Sequence, residues 1–70
     1  MTTISQNTER LLGILAEAET NPRRDALCRR VLRDERLALM AAIQRGDTAH
    51  VAAVEAEARR VATMWGVALR

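Results

Sequence analysis

Seventy residues with eleven arginines, no lysine, nine carboxylates and one cysteine make a single small domain, residues 1–70, of a size that buries only about 60% of its unfolded surface. The lone thiol of Cys28 excludes an internal disulfide, and no apolar run approaches the ~20 residues that cross a bilayer. The N-terminal segment lacks the basic start and unbroken apolar core of a signal peptide, so the expected setting is cytoplasmic and reducing.

Basic residues drawn from Arg alone hint at a GC-rich, bacterial genome. The net charge is +2 and the pI near 10.0, because Arg stays protonated far above neutrality. So small an excess argues little for a nucleic-acid partner. Its distribution says more. Residues 1–20 set one Arg against three Glu, and residues 21–36 set six Arg against three acids. Residues 37–58 again set one Arg against three acids, and residues 59–70 hold three Arg and no acid. The sign alternates in blocks.

Ala, Leu, Arg and Glu are strong helix formers, and no β-branched run alternates with polar residues as a strand requires. The chain therefore reads as all-α, with three helices. The first is expected over 4–20. Thr3 and Gln6 have capping-box spacing, and Ile4, Leu11, Leu15 and Ala18 share one face, flanked by Leu12 and Ile14. Gly13 lies opposite, and the helix must stop before Pro22.

The second helix is expected over 22–45, with Asn21 as N-cap and Pro22 at the first helical position. Leu27, Cys28, Val31, Leu32, Leu39, Ala42 and Ile43 form its broad apolar face. The opposite side carries Arg29, Arg30 and Arg33 first and then Leu37, Met40 and Ala41. A helix apolar on both sides must be covered on both. Either two helices of this chain cover it, or one helix and a second chain.

Gly46 suits a helix C′ position and Asp47 caps the next helix. A connection this short makes the second and third helices antiparallel neighbours. The third is expected over 48–69, where Val51, Val54, Ala58, Val61, Trp65 and Ala68 form an apolar heptad seam of coiled-coil type.

The inventory disfavours catalysis, which needs a nucleophile, a base and an orienting group. The single His50 reads as a surface residue and Cys28 as a small buried hydrophobe. Metal-ligand spacing and phosphate loops are missing from the sequence, so no enzyme activity and no cofactor is expected. Arg45-Gly46-Asp47 spells an integrin-binding triplet, but helix termination explains all three residues. Helix-mediated protein binding is the favoured function. Leu37, Met40, Ala41 and Ile43 are its expected contacts, in a homodimer rather than a monomeric bundle. The alternative is nucleic-acid binding through Arg29, Arg30, Arg33 and Arg36, a stripe able to track phosphates. Membrane docking through Trp65 ranks last, since that side chain falls on the seam.

Overall fold

The computed structural model describes residues 5–69, which fold as α1 (Gln6–Glu19), α2 (Ala26–Arg45) and α3 (Thr48–Met64) with no strand. The body measures 36 × 20 × 18 Å. No described helix is long and apolar enough to cross a membrane.

α1 begins where Ser5, in extended backbone, accepts the Thr8 amide on its hydroxyl at 3.1 Å. The expected cap, Thr3, and the core residue Ile4 lie outside the described residues. Ser5 performs the capping instead, satisfying one of the amides that a helix start leaves orphaned. At the other end the Thr20 hydroxyl donates to the Ala16 and Glu17 carbonyls, both at 3.1 Å.

Asn21-Pro22 does not open α2 as expected. The Asn21 carbonyl accepts the Arg24 amide at 3.1 Å, and its side-chain oxygen accepts the Arg23 amide at 3.0 Å. This is a turn with Asn first and Pro second, which uses the same two residue preferences as a helix start. The helix itself begins at Ala26, behind Asp25, whose side chain makes no capping bond.

Gly46 closes α2 with φ of 72°, its amide bonded to the Ile43 carbonyl at 3.1 Å. Asp47 immediately caps α3 by accepting the His50 amide at 3.2 Å. α3 stops at Met64, short of the expected residue 69. Gly66 takes φ of 75°, with Gly66 N–H to Thr63 O at 3.0 Å and Val67 N–H to Ala62 O at 2.9 Å. That pair of bonds is the Schellman closure, and the buried Val67 supplies its usual apolar contact.

α2 is the central element. α1 and α3 each pack mainly on α2 and only slightly on one another. The pairs Glu35 with Arg60 and Arg24 with the Trp65 carbonyl set α2 and α3 antiparallel. Thr8 with Glu55, and Ile14 and Ala18 beside Val67, set α1 and α3 parallel. The core joins Leu11, Leu15 and Ala18 of α1 to Cys28, Leu32 and Leu39 of α2 and to Ala58 and Ala62 of α3, with Val67 closing the end. Each fully buried leucine contributes about 1.5–3 kcal/mol of transfer free energy, and the alanines let neighbouring backbones approach.

Two apolar residues depart from their expected places. Leu27 is 56% exposed instead of belonging to the inner face of α2. Ala68, beyond the end of α3, is exposed too, because the turn at Gly66 ends the helical register that put it on the seam.

Candidate protein-interaction surface

At about 100° per residue, Cys28, Leu32, Leu39 and Ala42 centre on the inner side of α2, and all four are buried. The outer side holds Arg30, Arg33, Asp34, Leu37, Met40, Ala41 and Gln44, all exposed. Leu37 is 48% and Met40 41% exposed, with Ala41 and Ala38 open beside them. Three of the four expected contact residues therefore stand together on the surface. The fourth, Ile43, is half-buried and packs on this chain's own core.

The flanks of that surface have an identity. On one side Arg36 forks onto Glu19 of α1, Nε to Oε2 at 2.6 Å and Nη2 to Oε1 at 2.8 Å. Its third nitrogen, Nη1, lies 3.3 Å from the Met40 sulfur. Bidentate geometry makes this a strong charged contact, and donating to Glu19 raises the Arg36 pKa further. On the other side, Glu35 faces α3. Its carboxyl is pushed above the ordinary range by lost hydration and by Glu57 and Asp34, against the pull of Arg60.

The arginine stripe is not uniformly free. Arg30 and Arg33 are exposed, Arg29 is half-buried, and Arg36 is committed to Glu19. Arg29, Arg30 and Arg33 border an open groove of about 300 Å³ that Glu19 also lines. On α3, Arg60 holds Glu57 at 2.6 Å and Arg59 holds Glu55 at 3.2 Å. The Arg60 hydrogen bond keeps the Glu57 carboxyl below its usual range. Three of the eight described arginines of the two basic blocks, Arg36, Arg59 and Arg60, are thus held by carboxylates.

Sequence reasoning missed the polar link between α1 and α3. Thr8 is buried, and its hydroxyl donates to Glu55 Oε1 at 3.0 Å. With that proton spent, the 2.9 Å contact between Ser5 and Thr8 hydroxyls has Ser5 as donor. Arg59 completes the cluster by donating to Glu55 and, at 3.4 Å, to the Asn7 carbonyl. A threonine at a core-facing position of the first helix was the available signal, and its unmet hydroxyl demands such a partner.

His50 is exposed and Cys28 buried. Trp65 is half-buried against the core, while Met64 next to it is 66% exposed. Among the described residues no three His, Cys, Asp or Glu side chains converge as a metal site. No family model, no curated protein and no solved structure matches this chain.

Proposed function

We propose that this chain is a non-catalytic accessory or regulatory protein of the bacterial cytoplasm. It acts by helix-mediated binding to proteins, its own copies included, through the outer face of α2. One observation carries the reading. α2 already has a helix on each side, yet Leu37 and Met40 remain nearly half exposed beside Ala41. Apolar side chains grouped in this way on an element that packing has otherwise satisfied mark a contact surface. Methionine suits the role, since its flexible thioether fits varied partners.

Sedimentation of the wild type and of Met40→Glu tests it. The wild type is expected to dimerise at tens of micromolar, and the variant to sediment as a monomer with unchanged helicity. A monomeric wild type across that range refutes the self-association.

A second reading, nucleic-acid binding, draws on Arg30 and Arg33, both exposed beside an open groove. It is the weaker one, because Arg36, Arg59 and Arg60 are each held by a carboxylate. Phosphate contacts impose a steep salt dependence, so binding to DNA or RNA that is absent or insensitive to salt removes it.

A further inference from the structure

The outer face of α2 carries a pair of charges that becomes complementary to itself on reversal. Asp34 precedes the apolar patch of Leu37, Met40 and Ala41, and Arg45 follows it. Asp34 and Arg45 stand roughly 60° and 80° from Leu37 in the same sense, towards the flank where Glu35 meets α3. Both are exposed, and neither forms an ion pair within its own chain among the described residues. Arg36, Arg59 and Arg60, by contrast, are all paired internally.

From this we infer that a second copy of the chain docks antiparallel on α2, about a two-fold axis at the level of Leu39, with Asp34 of each copy paired to Arg45 of the other. The inference rests on the self-association proposed above and adds its orientation and register. At 1.5 Å per residue, Asp34 lies about 7.5 Å to one side of that level and Arg45 about 9 Å to the other. Reversing the helix brings the two to nearly the same height. A two-fold axis lying in the interface, perpendicular to α2, also turns like flanks towards each other. The two residues therefore meet on one side of the contact. Leu37 falls against Met40 and Ala41 of the opposing helix, while Arg33 comes level with Arg45 but about 120° away around the helix, on the other side of Leu37 and beside Gln44. A parallel two-fold, running along α2, instead turns like flanks to opposite sides of the contact, so Asp34 and Arg45 gain no partner in that arrangement.

One helix about 30 Å long offers less than the ~800 Å² per partner of a standard interface, so the pair belongs to the weak, transient class.

Sedimentation equilibrium of four samples tests the register: wild type, Asp34→Arg, Arg45→Glu, and the two variants mixed in equal amounts. Each variant alone places like charges together twice and is expected to weaken self-association by about tenfold or more. The mixture restores both pairs in a heterodimer and is expected to associate as the wild type does. Far-UV circular dichroism confirms that each variant folds, and the mixture repeats both substitutions in an associating state. A wild type that dimerises while the variants match it, or while the mixture gains nothing, overturns the register and leaves self-association standing. A monomeric wild type overturns both.

Discussion

Among the described residues, Glu35 is the one acid whose pKa folding raises. It lies half-buried on the α3 flank of α2, near Glu57 and Asp34, and burial outweighs the attraction of Arg60. A carboxyl whose pKa is raised by folding binds protons more tightly folded than unfolded. Its favourable contribution is present below the ordinary carboxylate range and is lost as pH rises through the folded value. Glu35→Gln removes the ionised form and is expected to stabilise the protein at pH 7 by about half a kcal/mol at most, given solvent screening. The gain should shrink to nothing in acid. Urea unfolding of both proteins at pH 7 and at pH 3.5 measures it, and a gain that persists unchanged in acid refutes the electrostatic cause. At this scale the sequence was partly legible. Most inner residues of the three helices followed from periodicity, because spacing fixes which side chains share a face; the buried Thr8 and the exposed Leu27 did not. The pairing of Arg36 with Glu19 did not follow. Angular arithmetic places an arginine on a flank without saying which neighbouring helix lies there.

At the level of elements, glycine ends α2 and α3, and an oxygen-bearing side chain caps the start of α1 and of α3. Gly46 and Gly66 both occupy left-handed backbone, with φ of 72° and 75°, while Gly13 lies within the regular, exposed run of α1. A methyl group added at Gly13 or at Gly66 meets no atom within 4 Å, so space does not separate the two sites. Backbone conformation does. Gly13→Ala is expected to stabilise by about 0.5–1 kcal/mol through helix propensity. Gly66→Ala is expected to cost about 1–2 kcal/mol, the penalty of left-handed backbone for an L side chain. Thermal unfolding of the two variants should shift in opposite directions, by about 4–8 °C per kcal/mol for a chain of this size. Shifts of the same sign contradict the assignment. The junction at Gly46-Asp47 was readable in advance, because both residues favour one outcome. Asn21-Pro22 was not, since a turn and a helix start ask for the same two residues. The early stop of α3 was written in Gly66 followed by the apolar Val67, a signal the longer heptad pattern obscured.

The whole molecule is a three-helix arrangement in which the middle helix does most of the joining, and its outer side is left unfinished. Sequence alone required cover on both sides of α2. The structure shows two companions already in place and a strip of Leu37, Met40 and Ala41 still open. The charge blocks along the chain told less than expected, because folding brings Arg36, Arg59 and Arg60 onto carboxylates of the acidic blocks.

Cys28, only 3% exposed and clustered with Leu32 and Leu39, gives this assembly a built-in clock. A disulfide reagent in the surrounding buffer finds no sulfur to attack until the helices part, so its rate reports the free energy of opening. Modification is expected to run orders of magnitude slower than with a free thiol and to accelerate with urea. If copies join through α2, mass action should slow it further as the protein is concentrated. Rapid labelling under native conditions contradicts this shielding of the thiol.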